Sequence, residues 1–212
     1  VVYDDFSLKI RRTERWCVLG RNGAGKTTLL KLVAGNLEPD AGTVRLGANL
    51  KVGYFAQQSL EQLDPNLTVL EHVQRSFPVE GLGVLRNLLG AFQFCGDDVD
   101  KPVRILSGGE KSRLVLAEML FDPPNFLILD EPTNQLDLET KTMLVDSLKD
   151  FEGTMLFVSH DRTFLRGLST KVLELRPGNE KEGIPAQAPR VYEGTYAEFV
   201  TSTGGEAAGV HR

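Results

Sequence analysis

Four apolar residues, Trp16-Cys17-Val18-Leu19, run straight into Gly20-Arg21-Asn22-Gly23-Ala24-Gly25-Lys26-Thr27-Thr28, and Leu29-Leu30-Lys31-Leu32-Val33-Ala34 follows at once. This order constrains the fold more than any other feature of the chain. The first run reads as a buried strand and the last as a helix. Between them, Gly20-x-x-x-x-Gly25-Lys26-Thr27 is the P-loop pattern in full, in the strand-then-helix context its mechanism needs. Glycines leave successive backbone N–H groups free to point at phosphate oxygens, and a helix starting near Lys26 adds its positive end. Lys26 brings a point charge to the β- and γ-phosphates, and Thr27 offers a hydroxyl to Mg2+. The plain alternative, a glycine-rich turn, leaves Lys26-Thr27 in register unexplained. Glycine is in excess over the whole chain, 21 of 212 residues, or about 10% against a usual ~7%.

The rest of the chain alternates in the same manner. Phe6, Leu8 and Ile10 alternate with Ser7, Lys9 and Arg11, which predicts a half-buried strand. Thr43–Leu46 and Lys51–Phe55 are strand-like, and residues 60–105 read as largely helical, broken at Pro65, Pro78 and Gly81–Gly83. A helix is expected from Ser107 to Phe121 and an amphipathic one from Leu138 to Asp150 with Asp137 as its N-cap. Phe126–Leu129, Thr154–Val158 and Lys171–Leu175 read as further buried strands. Such alternation predicts an α/β domain with a mainly parallel sheet, and the P-loop motif makes it a P-loop NTPase core. Asp130 then falls at the carboxyl edge of its strand, where ligands bind in open α/β sheets, suited to hold Mg2+. Glu131, one residue on, is suited to polarise a water for attack on a γ-phosphate. Alone, the pair could simply end a strand before Pro132; with the P-loop present that reading recedes.

Ser107-Gly108-Gly109-Glu110 has the form of a capping box. A box does not account for glycines at the first two helical positions, where each costs roughly 1 kcal/mol of helix propensity. Bare N–H groups there suit an approaching anion.

Charge and composition exclude several classes. The net charge is −5, against a global polycation for nucleic acid, although residues 1–35 carry +4 and the remainder −9. Two cysteines, Cys17 and Cys95, make no disulfide framework. No apolar stretch approaches the length of a membrane span, the first residues do not resemble a signal peptide, and the cytoplasm is the expected compartment. No heptad run suggests a long coiled coil.

Taken together, Leu106-Ser107-Gly108-Gly109-Glu110 between a P-loop and a Leu-Asp-Glu strand end resembles the signature motif of the ATP-binding-cassette superfamily. The resemblance covers about residues 1–176. Gln57 stands where that family has its Q-loop glutamine, Asp137 where it has its D-loop aspartate, and His160, in Ser159-His160-Asp161, where it has its switch histidine. It implies a cassette that binds and hydrolyses ATP with Mg2+ and pairs head to tail with a second cassette around two ATP molecules. Glu131 is then the general base, Gln57 touches Mg2+ and the attacking water, and His160 steadies the γ-phosphate. Gly20 through Thr28 hold the chain's own ATP, with Thr27, Gln57 and Asp130 toward Mg2+. Ser107, Gly108, Gly109 and Glu110 serve the partner's ATP.

Leu37-Glu38-Pro39-Asp40-Ala41-Gly42, Gly53-Tyr54-Phe55-Ala56-Gln57-Gln58, Glu131-Pro132-Thr133-Asn134 and Tyr192-Glu193-Gly194-Thr195-Tyr196 resemble the ABC-F branch. That branch carries two cassettes per polypeptide, has no membrane domains and acts on ribosomes in translation or antibiotic resistance. Residues 84–106 look most like the second cassette. The expected organisation is a cassette over 1–176 with a helical subdomain at about 60–120 and an N-terminal antiparallel β part. A flexible insertion over 177–190, a closing segment over 191–200 and a disordered tail over 201–212 follow. Gln135 and Thr163 depart from the branch's pattern, which has His and an aromatic there. Tyr3 lies too near the P-loop for an adenine-stacking residue, so the chain is expected to begin inside its domain. The competing readings are an ABC transporter's ATPase subunit, a chromosome or repair ATPase head and a non-hydrolysing clamp. His72 and His211 are read as incidental.

Overall fold

The computed structural model describes residues 6–178, 187–206 and 210. Its centre is one six-stranded sheet built from β1 (Arg15–Leu19), β2 (Val52–Phe55), β3 (Phe126–Asp130), β4 (Thr154–Val158), β5 (Lys171–Arg176) and β6 (Gln187–Tyr192). The strand order is β2-β3-β4-β1-β5-β6, and every pairing is parallel except β5 with β6. The helices are α1 (Lys26–Ala34), α2 (Val69–Ser76), α3 (Leu82–Ala91), α4 (Gly108–Phe121), α5 (Leu138–Lys149), α6 (Arg162–Leu168) and α7 (Tyr196–Thr203).

Successive strand side chains face opposite sides of a sheet. Cys17 and Leu19, Leu127 and Leu129, Met155 and Phe157 therefore join the larger core, with Leu144 and Leu148 of α5 and Phe164 and Leu165 of α6. Trp16 and Val18, Phe126 and Ile128, Leu156 and Val158 face the other way, onto Leu29 and Leu30 of α1. A sheet covered on both faces reads as continuous apolar runs, as these strands do. The thiol of Cys17 is fully buried, and that burial pushes its pKa up to about 12.

The parallel arrangement puts the carboxyl ends of β1, β3 and β4 side by side, and the loops that follow them, with the one after β2, form one edge of the domain. Gly53, on edge strand β2, has a strict space requirement: a Cβ there would lie 2.6 Å from Cγ of Pro124. Gly53→Ala is expected to destabilise the fold by about 1–3 kcal/mol through overpacking against a rigid ring. A urea midpoint equal to that of the wild type would show that the edge yields instead.

Two strand expectations are not met. Phe6–Arg11 keeps its alternation, with Phe6, Leu8 and Ile10 half-buried on the second core face and Ser7, Lys9 and Arg11 exposed. Yet neither this segment nor Thr43–Leu46 carries a ladder among the described residues. Alternation reports a buried face, whereas a strand also needs a hydrogen-bonded neighbour. The two segments instead flank an apolar groove of about 370 Å³ beside α1. The antiparallel pairing expected near the N-terminus occurs between β5 and β6.

Residues 187–190, expected in the loop, belong to β6, and residues 201–203, expected in the tail, complete α7. The middle of the expected insertion, 179–186, and positions 207–209, 211 and 212 lie outside the described residues, as do Tyr3 and His211. α7 has a local cause that was there to be read: Thr195 caps it and Glu198 closes a capping box. His72 is not a surface residue. Its ring is buried between α2 and α4, with Nε2 3.2 Å from the Glu118 carboxylate.

Candidate functional site

The P-loop follows β1. Gly23 and Gly25 adopt left-handed backbone, φ 80° and 91°, which L side chains seldom tolerate. Gly20 is needed for a further reason: a Cβ there would stand 2.8 Å from the carbonyl oxygen of Leu175 in β5. Arg21, Asn22 and Gly23 form the exposed tip, Ala24 is buried, and Thr27 and Thr28 lie in the first turn of α1. Lys26 reaches back over the loop, its Nζ donating to the carbonyls of Gly20 at 2.9 Å and Arg21 at 3.3 Å. Burial lowers the pKa of this ammonium, while Glu131 and Asp130 act in the opposite direction.

Across from the loop, Asp130 ends β3. Burial raises its carboxyl above the usual range; the Thr27 hydroxyl donates to it, and Lys31 and Lys26 also work to keep it ionised. Glu131 leaves the strand in left-handed backbone, φ 52°, a strained conformation of the kind that clusters at functional sites. Its carboxyl is also raised by burial, opposed mainly by His160. The His160 ring stands with Nε2 3.0 Å from Oε1 of Glu131, and its backbone N–H donates to Oε2 at 3.2 Å. His160 is held in place by the end of β4, where Ser159 and Thr133 share a buried hydroxyl contact of 3.1 Å.

A cavity of about 470 Å³ opens at this edge, with Thr27, Gln57, Asp130, Glu131 and Gln135 in its wall. Gln57 reaches it from a 3₁₀ turn directly after β2. The structure therefore brings together Thr27, Gln57, Asp130 and Glu131, with Lys26 and His160 beside them. Ser107, Gly108, Gly109, Glu110 and Asp137 do not line this cavity. Ser107 caps α4, accepting from the Glu110 N–H at 3.2 Å, while Glu110 accepts from the Ser107 N–H at 2.8 Å. The Ser107 N–H holds the Glu110 carboxyl below its ordinary pKa. Asp137 caps α5 through the Thr140 N–H at 2.8 Å, which lowers its pKa likewise. Gln135, regarded in the sequence only as a departure from a pattern, lies at the cavity wall; no local signal marks it.

A glycine cradle before a helix, two carboxylates at the next strand's end and a separate glycine-started helix define a P-loop nucleotide-binding domain. More narrowly, the chain belongs to the ABC transporter family, whose family model matches residues 3–134. It is 47% identical over 166 residues to the ATP-binding protein YheS of Escherichia coli (strain K12), covering 78% of this chain and 26% of that protein. It is 45% identical over 166 residues to ATP-binding cassette sub-family F member 3 of Pongo abelii, covering 78% of this chain and 23% of that protein. These relatives bear out the likeness to the ABC-F branch, and the chain spans about a quarter of their length. The fold matches a dimeric ATP-binding cassette solved after hydrolysis with ADP and phosphate. The TM-score is 0.69 at 23% identity, over 89% of this chain and 90% of that one, a likeness of fold. As an ABC cassette, the chain is an ATP-binding domain.

Proposed function

We propose that this cassette hydrolyses ATP to ADP and phosphate, with Glu131 as general base, as part of an ABC-F protein acting on the ribosome in the cytoplasm. The observation that carries the hydrolytic reading is the setting of Glu131. It lies one residue beyond Asp130, buried enough to raise its pKa, and held against His160 at the mouth of a phosphate cradle. A base with a raised pKa is better matched to taking a proton from water near neutral pH than an ordinary carboxylate.

The residues suit Mg2+. Thr27 and Asp130 both line the cavity, and both are oxygen donors of the hard kind this ion prefers. Among the described residues no group of three or more His, Cys, Asp or Glu could hold a metal unaided, which fits an ion arriving with phosphate oxygens. When bound, Mg2+ would neutralise charge on the β- and γ-phosphates. Thr27 and Asp130 would hold it, with Gln57 beside it and the attacking water. Gly20 through Thr28 would bind the phosphates, Lys26 exchanging its two carbonyl partners for phosphate oxygens. His160 would orient the γ-phosphate and Glu131 take the water's proton.

Ser107, Gly108 and Gly109 stand outside this cavity, which supports a second cassette, placed head to tail, whose γ-phosphate they would meet with Glu110 closing the cap. The likeness of residues 84–106 supports a second-cassette position in a two-cassette parent, with Asp137 in the loop between the two sites. Among the described residues no helix is long and apolar enough to cross a membrane.

The ribosomal reading is tested by sedimenting the full-length Glu131→Gln protein with ribosomes in ATP. Retention above that of a Lys26→Ala control is the expected result. Equal retention would remove the ribosomal role and favour the transporter reading.

A further inference from the structure

Tyr54 belongs to β2, in register with Ile128 of β3. Both side chains turn to the sheet face covered by Leu29 and Leu30 of α1. Asp130 is two residues beyond Ile128, so the alternation of a strand puts its carboxylate on that face as well, one strand across from the Tyr54 ring. The same residues meet in the wall of the phosphate cavity, where Tyr54 lies with Thr27, Lys31, Asp130 and Glu131.

The Tyr54 hydroxyl is buried and has no hydrogen-bond partner among the described residues. Packing does not ask for it: a phenylalanine would fill the same space against Ile128 and α1. A buried polar group without a partner weakens a fold and calls for a reason. Burial pushes the phenol up to about 12, and the Asp130 charge acts the same way. The group therefore keeps its proton near neutral pH and can serve as a donor, and the charge that acts on it is that of Asp130.

The two groups differ in freedom. The Tyr54 backbone is held by the β3 ladder, and its carbonyl accepts from the Ser59 hydroxyl at 3.4 Å. The Asp130 carboxylate turns about a soft terminal torsion. Mg2+ demands near-octahedral ligands and keeps several waters, so it gains from a carboxylate whose direction is fixed. Groups that stand behind a metal ligand supply such fixing.

Resting on the reading of this cavity as an Mg2+–ATP site, we propose that Tyr54 is a positioning residue whose hydroxyl donates to the Asp130 carboxylate when the cation is bound and holds it in the direction that accepts the cation. The hydroxyl thus weakens the free protein slightly and stabilises the loaded one.

Tyr54→Phe separates this role from a structural one, because it keeps the ring and removes only the hydroxyl. The measurement is the Kd of a non-hydrolysable ATP analogue for the full-length protein, by titration calorimetry in Mg2+ and again in EDTA. The wild type is expected to bind more tightly in Mg2+. In Tyr54→Phe the Kd in EDTA is expected to stay within about twofold, while the gain on adding Mg2+ shrinks by about tenfold, as for loss of a group behind a metal ligand. Its Tm without nucleotide is expected to equal or exceed that of the wild type, since a buried unpartnered hydroxyl has gone. A gain in Mg2+ equal to that of the wild type overturns the proposal. A lower Tm with both Kd values weakened alike also overturns it, as the mark of a structural hydroxyl. So does a wild type that binds no better in Mg2+ than in EDTA. A wild type that binds the analogue in neither condition would instead remove the reading of the cavity on which the proposal rests.

Discussion

With Gln in place of Glu131, hydrolysis falls by about 10³-fold, the range for loss of a positioned general base, while ATP still binds. The amide fills the same space beside His160 but cannot accept the water's proton. ATP then persists between paired cassettes, and a dimer accumulates on size exclusion in ATP. Phosphate release within about tenfold of the wild type would show that another group is the base.

The same change has a thermodynamic signature. Burial raises the Glu131 carboxyl above its ordinary range, so between the ordinary and the raised pKa the native state binds the proton more than the unfolded chain does. The wild type therefore loses stability as pH rises through that interval, and at higher pH it bears the cost of a buried carboxylate. Glu131→Gln is expected to melt higher than the wild type at neutral pH, with the gap closing as pH falls below the ordinary carboxylate range. A gap that widens on acidification would reverse the assigned direction.

Lys26→Ala is expected to weaken ATP binding by about 100-fold, as for a lost charge-assisted contact worth ~2.7 kcal/mol. The ammonium is already at the cradle, tethered to Gly20 and Arg21, and those carbonyls can be satisfied by water once phosphate displaces it. Titration calorimetry with a non-hydrolysable ATP analogue checks this; an unchanged Kd would mean that Lys26 serves the loop's shape and not the phosphate.

What could be read in advance followed from interactions within a few residues. Ser107 with Glu110, and Asp137 with Thr140, close within one helical turn, so their spelling was enough to place α4 and α5. The buried strands β1, β3 and β4 announced themselves as apolar runs because both sheet faces are covered. The P-loop, Asp130 and Glu131 were legible because each hangs from such a strand. The failures lie where a distant partner decides. Phe6–Arg11 has a strand's alternation but no ladder among the described residues. β6 exists because β5 is there to pair with it.

The lean of Gly20 on Leu175 has a consequence for biosynthesis. β1 is bordered by β4 and β5, and Arg15 bonds to Thr170, 155 residues further along the chain. Within this chain the glycine cradle is made before β4 and β5, the strands that flank and brace it. Until β5 appears, the loop is an unsupported turn with its apolar strand exposed. The phosphate cradle is therefore braced on both sides only once β5 has been made.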